Sequence, residues 1–385
     1  MDRPRVVFAL CFVLPLIALT ASAQKSSARP GGGQVRTYYV AADEVEWDYA
    51  PSGIDHMTGK PFEGYAKVHT ERGPHRIGTK YLKAVYHEYT DETFRTLKPR
   101  PSEQQYLGIV GPVMHAEVGD TIKVVFKNNA SHPYSMHPHG VAYDKSSEGT
   151  LYGGMPWEET GVVAPGKIHT YVWEVLERSG PGPTDRSSVV WLYHSHVAEA
   201  RDVNSGLVGA IIVTRRGMAR PDGTPKDVDR EFVSLYMAYN ENQSWYLDHN
   251  IQTYTTDPKG VKTEDIIPLD ENGHYFLTGS GFGDTAIKWS INGYIYGNMP
   301  MMAMKRGQHV RWYLVTLGDG FNFHTPHWHG NVVTTGGQQT DVVSISPAQM
   351  VTADMVPDKA GVWMYHCHVS DHMAAGMMAE YQVLP

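Results

Sequence analysis

The stretch Trp363-Met364-Tyr365-His366-Cys367-His368-Val369-Ser370-Asp371-His372-Met373-Ala374-Ala375-Gly376-Met377 decides how the rest of the chain is read. One thiol sits between two imidazoles. A third imidazole follows five residues after the Cys, and a thioether ten after it. Soft sulfur with imidazole is a copper ligand set, and two His, one Cys and a weak axial Met make a blue-copper electron-transfer site. Neighbours on an extended strand point to opposite faces. Cys367 therefore faces one metal while His366 and His368 face others behind it. Such a strand is a wire: electrons enter at the thiolate-bound ion and leave through the Cys backbone.

Upstream, His-x-His pairs recur. Tyr134-Ser135-Met136-His137-Pro138-His139-Gly140 and Trp191-Leu192-Tyr193-His194-Ser195-His196 lie in the first half, and His324-Thr325-Pro326-His327-Trp328-His329-Gly330 in the second. Residues i and i+2 share one face of a strand, so each pair offers two imidazoles to one cavity. The halves repeat. His137 and His139 correspond to His327 and His329; His194 and His196 correspond to His366 and His368. They differ at the blue site, where Ser195 stands for Cys367, Tyr134 for His324 and Leu207 for Met377. Only the second half holds His324, Cys367, His372 and Met377 together. The eight paired imidazoles fit a cluster of three copper ions. Zinc has no redox chemistry and gives no reason to couple a Cys to two flanking His.

The 385 residues suffice for two domains. A net charge of -8 without a basic block gives nucleic-acid binding no support. Abundant Gly and Pro with only 19% charged residues suit a turn-rich all-β protein. Strands are expected at Thr37–Ala42, Lys80–Tyr89, Thr121–Lys127, His169–Val175, Val189–His196 and Leu207–Thr214, with a turn at Trp47–Pro51. The second set is expected at Phe232–Tyr239, Gln308–Val315, Met350–Met355, Gly361–His368 and Ala379–Leu384. These place one domain at 35–214, a linker at 215–230 and a second domain at 231–385. Residues 1–23 read as an export signal, with Arg3 and Arg5, an apolar run from Val6 to Leu19, and Ala21-Ser22-Ala23 before the cut. Residues 24–34 read as a disordered lead. The mature protein is then secreted or periplasmic and has no membrane span, and Cys367 is its one thiol, since Cys11 leaves with the signal.

The chain resembles the multicopper oxidases, and within them the ceruloplasmin and hephaestin branch. The resemblance rests on Tyr134–Gly140 with Glu148-Gly149, on 240–247, on Ile291-Asn292-Gly293, and on the His324–Gly330 and His366–Met377 motifs. It implies an all-β fold of two cupredoxin-like (plastocyanin-like) β-sandwiches. It implies type 1 copper on His324, Cys367, His372 and Met377, and type 2 copper on His137 and His327. The type 3 pair falls on His139, His194, His196, His329, His366 and His368. The total is four copper ions per subunit equivalent. In larger relatives the cluster lies between two domains of one chain. A two-domain chain resembles the oxidases that assemble as homotrimers, each cluster sharing residues of two subunits.

The expected partners are dioxygen and a small reductant oxidised one electron at a time. Cys367, His366 and His368 carry the electrons. A phenol or aromatic amine ranks first as reductant, with Fe(II) or Cu(I) close behind. Asp371, beside His372, matches one acidic position of the iron site in ceruloplasmin; the other Glu and His fall at Asp284 and Trp289. Four Met between 299 and 304 offer thioethers for Cu(I), or simply fill a core. Asp144 and Glu148 are candidate proton donors. Copper nitrite reductase is a rival, but it keeps its blue site in the first domain. A non-enzymatic copper carrier would not need paired His in both halves.

Overall fold

The computed structural model describes residues 33–261, 282–318 and 322–385. The export signal read at 1–23 and nearly all of the lead read at 24–34 lie outside them. Gln34 is described, and its N–H donates to Asp120 Oδ1 at 2.7 Å.

Strict alternation makes Thr121–Asn128 a strand with every second side chain buried. It lies parallel to Val35–Asp48 and antiparallel to Ile168–Glu174. Lys80–Tyr89 and Ala142–Tyr143 complete a five-stranded sheet. A four-stranded sheet faces it, ordered Met114–Glu117, Val208–Thr214, Ser188–His194, His137–Pro138. Val124, Phe126, Tyr171, Trp173 and Ile211 are among the side chains that fill the space between, the arrangement of a β-sandwich. Val208–Thr214 is buried at every position, which explains its unbroken apolar run.

One expectation changes here. Val35–Asp48 runs through Trp47, read above as part of a turn; Trp47 pairs with Tyr81 inside the sheet. Asp43, Glu44 and Glu46 give this segment the look of a loop. Their carboxylates instead bond to His87, Ser131 and Lys80 of neighbouring segments.

The second half repeats the plan. A six-stranded sheet ordered Ile287–Ile291, Arg230–Asn240, Val310–Thr316, Met350–Met355, Val333–Thr335, Gln338–Thr340 accompanies a four-stranded one. The latter is ordered Met302–Lys305, Met378–Leu384, Gly361–Cys367, Pro326–Trp328. In both four-stranded sheets an edge strand carries one His pair beside the strand that ends in the other. His137 lies opposite His194, and His327 opposite His366. The repeat seen in the sequence is thus a repeat of strand register.

One continuous apolar core joins the halves, with Tyr49, Val190, Leu192 and Ile212 of the first packed with Phe232, Leu235, Tyr239 and Trp312 of the second. A charged pair is sealed inside it. Lys83 and Glu241 are fully buried and bonded to each other, and Tyr49 donates to Glu241 Oε1 at 2.5 Å. Removing one partner of a buried pair strands the other charge. Lys83→Met is expected to cost about 3–5 kcal/mol of unfolding free energy, read by denaturant titration, and a loss under ~1 kcal/mol would refute an ionised pair.

Candidate metal centres

The first candidate centre is built where the strand Gly361–Cys367 runs out. Cys367 is its last residue, and the short helix Ser370–Ala374 follows at once, bringing His372 back over the thiol. Cys367 Sγ lies 3.7 Å from His372 Nδ1 and 3.9 Å from His324 Nδ1, and the two nitrogens are 3.2 Å apart. Cys367 and His324 have no exposed surface. Burial holds the His324 imidazole well below its ordinary pKa and moves that of His372 down to about 4. Both rings are therefore neutral, with lone pairs free for a metal. The Thr325 N–H donates to Sγ at 3.4 Å, which suits a thiolate. Met377 is buried, and its backbone bonds to that of Cys367 and of His372. One sulfur and two imidazole nitrogens within 4 Å of one another fit copper by donor type.

The other eight His form two groups of four. In the first, His139 Nε2 and His194 Nε2 are 3.1 Å apart; in the second, His329 Nε2 and His366 Nε2 are 3.0 Å apart. His137 Nδ1 is held by the Glu148 carbonyl at 2.7 Å, and His327 Nδ1 by the Asp341 carbonyl at 2.9 Å. Each carbonyl leaves Nε2 as the free nitrogen, a common way of orienting ligand imidazoles. Burial, then the neighbouring imidazoles, lower His139 to about 4. Burial also takes His366 to about 4. The ring contacts of the first four are with one another and Tyr143. Those of the second four, among the described residues, stay within that group. One pair of each group, His137 with His139 and His327 with His329, lines a surface concavity. One, of about 390 Å³, is lined by 137–143 and Arg178; the other, of about 590 Å³, by 327–332, Asp341, Val356 and Asp358. His329 and His368 are exposed.

Other residues singled out in the sequence fall differently. Asp371 is exposed at the start of the helix that carries His372. Asp284 is buried. Trp289 stacks on His372, with centroids 4.0 Å apart and planes 27° from parallel. The Glu148 carboxylate bonds to Lys145 and Tyr152. Burial raises it, but these partners hold it below its ordinary value. The Glu148 carbonyl, for its part, holds His137. Met299, Met302 and Met304 are buried in the core, and only Met301 of that run is exposed. Sequence reading missed the positioning roles of Thr325 and of the Glu148 and Asp341 carbonyls; backbone donors and acceptors carry no residue signature.

Two family models, each described as multicopper oxidase, match residues 104–217 and 267–385. The chain belongs to the multicopper oxidases. Among curated relatives of this oxidase it is 42% identical over 359 residues to ferroxidase HEPHL1 of Mus musculus, covering 91% of this chain and 29% of the relative. It is 39% identical to hephaestin of Mus musculus, covering 92% of this chain and 30% of that one. It is 38% identical to ceruloplasmin of Homo sapiens, with 91% and 31% covered. This multicopper oxidase is thus ceruloplasmin-like and spans under a third of the length of these relatives. Among solved structures, one described as a multicopper oxidase superposes with TM-score 0.58 at 19% identity, covering 93% of this chain and 92% of that one. The blue copper oxidase from Nitrosomonas europaea gives 0.54 at 17%, with 91% and 86% covered. At such identities these two speak to the fold, which is that of paired cupredoxin-like sandwiches.

Proposed function

We propose that this multicopper oxidase is a metal-ion oxidase, with Fe(II) as the reductant it takes best. Its relatives bear the name ferroxidase, but the observation that carries the reading is local. Trp289 covers the ring face of His372, while Asp371 stands exposed beside it. A phenol or amine needs an open edge at His372, which is only 9% exposed; a small hard cation needs carboxylate oxygens at that edge. The Tyr65 hydroxyl is raised by partial burial, then by the charges of Asp284 and Asp371. Trp289 supplies no ligand. The buried thioethers of Met302 and Met304 leave Cu(I) less support than Fe(II). Sequence alone ranks an organic reductant first, and the stacked Trp289 argues for the reverse order.

In this reading His324, Cys367, His372 and Met377 hold type 1 copper. His137 with His327, and the six remaining paired imidazoles, hold one type 2 and two type 3 ions. Copper, when bound, supplies one-electron oxidation of the reductant at the first set and four-electron reduction of dioxygen to water at the second. Cys367 is joined by its own backbone to His366 and His368, so one strand links the two sets. Because no contact joins one group of four to the other among the described residues, each is read as half of a site closed by another copy. Arg178 rims the first concavity; Asp341 and Asp358, with the exposed Val332 and Val356, rim the second. Opposite charge and an apolar rim suit a heterologous contact that closes as a ring, here a homotrimer. An export signal at 1–23, giving a secreted or periplasmic protein, belongs to the same proposal. No helix among the described residues is long and apolar enough to cross a membrane.

Steady-state rates with Fe(II), Cu(I) and a phenol test the substrate. Asp371→Asn is expected to lower kcat/KM for Fe(II) about tenfold or more by removing an attractive charge, and to leave phenol oxidation within about twofold. Equal losses on both, or a phenol rate above the Fe(II) rate in the parent protein, would end the metal-ion reading.

A further inference from the structure

The first half does not merely lack a blue site; another device fills its place. Counting back five residues from Met377 reaches His372, and counting back five from Leu207 reaches Asp202. Asp202 is fully buried. Its Oδ2 accepts from Ser195 Oγ at 2.7 Å and from the N–H groups of Val197 and Ala198 at 2.9 and 3.1 Å. Its Oδ1 accepts from Trp245 Nε1 at 2.8 Å. All four contacts are donors, which suits a carboxylate.

Two hydrogen bonds around Ser195 match those of the blue site. Ser135 N–H donates to Ser195 Oγ at 3.1 Å, as Thr325 N–H does to Cys367 Sγ at 3.4 Å. His196 N–H donates to Ser135 Oγ at 3.0 Å, as His368 N–H does to Thr325 Oγ1 at 3.1 Å. Ser195 and Asp202 thus occupy the places of Cys367 and His372. The contacts of Asp202 bracket His196, falling on residues 195, 197 and 198.

We infer that Asp202 is a positioning residue that locks His194 and His196 in their metal-binding orientation through Ser195 and the N–H groups of Val197 and Ala198. Hydrogen bonds do there what a metal held by Cys367 and His372 would do in the second half. The inference rests on the assignment of His194 and His196 to the shared cluster. It makes the first half-site organised before any copper binds, whereas the matching loop of the second half has no carboxylate at the position of Asp202.

Asp202→Asn tests it on the full-length protein. An Asn oxygen replaces one carboxylate oxygen, but its NH2 then meets donors where the other oxygen accepted. Copper is titrated into the parent, Asp202→Asn and Ser195→Ala proteins. The visible thiolate–copper band reports the second half, while the type 2 paramagnetic signal and the type 3 near-ultraviolet band report the cluster. The expected result is a normal thiolate band with cluster copper bound about 10–100-fold more weakly in Asp202→Asn, the range seen when an outer-shell partner of a metal ligand is lost. Ser195→Ala shifts in the same direction and decides the matter if Asp202→Asn does not fold by circular dichroism. Cluster signals and copper content equal to the parent's in the folded variants would overturn the inference. A parent protein without cluster signals would instead overturn the four-copper assignment beneath it.

Discussion

Cys367→Ser is expected to remove the intense visible band and to slow oxygen uptake with any reductant by at least about a thousandfold, ~4 kcal/mol at 1.36 kcal/mol per decade. The thiol lies beside the two imidazole nitrogens, at 3.7 and 3.9 Å, and Cys367 is the residue of that centre bonded directly to both His366 and His368. A Ser hydroxyl is neither soft nor anionic at neutral pH, so both the copper–sulfur bond and the path behind it go together. The fold is expected to tolerate the change: no carboxylate stands where Asp202 serves Ser195, but the smaller hydroxyl has the His372 and His324 Nδ1 atoms, 3.7 and 3.9 Å from Sγ, as acceptors. Thermal unfolding of the apo protein should therefore move little, and copper at the paired His should persist. Absorption, copper content and oxygen uptake on the same sample check this. Retention of more than about a tenth of the parent rate would show that electrons enter elsewhere. The same variant separates an oxidase from a copper store, which would lose one ion but no turnover.

Two inactive variants should restore each other. A chain with His137→Ala and His139→Ala has no usable first half-site; one with His327→Ala and His329→Ala has no usable second. If each cluster closes between neighbouring copies in a ring, co-expression in equal amounts makes about a quarter of the junctions intact, one half times one half for random assembly. Oxygen uptake should then return to roughly a quarter of the parent value, from parents that show none. The physical basis is that the paired nitrogens, His139 with His194 and His329 with His366, converge within their own half. His329 and His368 meanwhile present exposed imidazoles to solvent, and Arg178 on one rim answers Asp341 and Asp358 on the other. Mixed oligomers that remain as inactive as their parents, or a native mass showing an active monomer, would sink the shared cluster.

Much of the site was legible because its chemistry is written in side chains at short spacing. His-x-His on an edge strand puts two imidazoles on one face whatever surrounds it, and the repeat exposed Cys367, His324 and Met377 as additions to the second half. The strands Lys80–Tyr89 and Met350–Met355 fall where apolar patterning puts them. The reading slipped where polarity hid structure: Trp47 and its acidic neighbours continue a strand because His87, Ser131 and Lys80 satisfy them from other elements. Asp202 passed unnoticed because a lone Asp in a polar helix has no pattern; only alignment on Gly206-Leu207 could have found it.

The sequence by itself determined the candidate donor set, the two-fold repeat and the half that carries the thiol, since all of these are matters of residue type and spacing. Tertiary structure alone decided which nitrogens meet. It stacked Trp289 on His372 and so shifted the substrate reading from an organic reductant toward a cation. It sent Met302 and Met304 into the core, and it put Asp202 beneath Ser195. Each of these depends on contacts between segments tens to hundreds of residues apart or on which way a strand's faces turn. Spacing along the chain fixes what can bind, while packing fixes what can reach it.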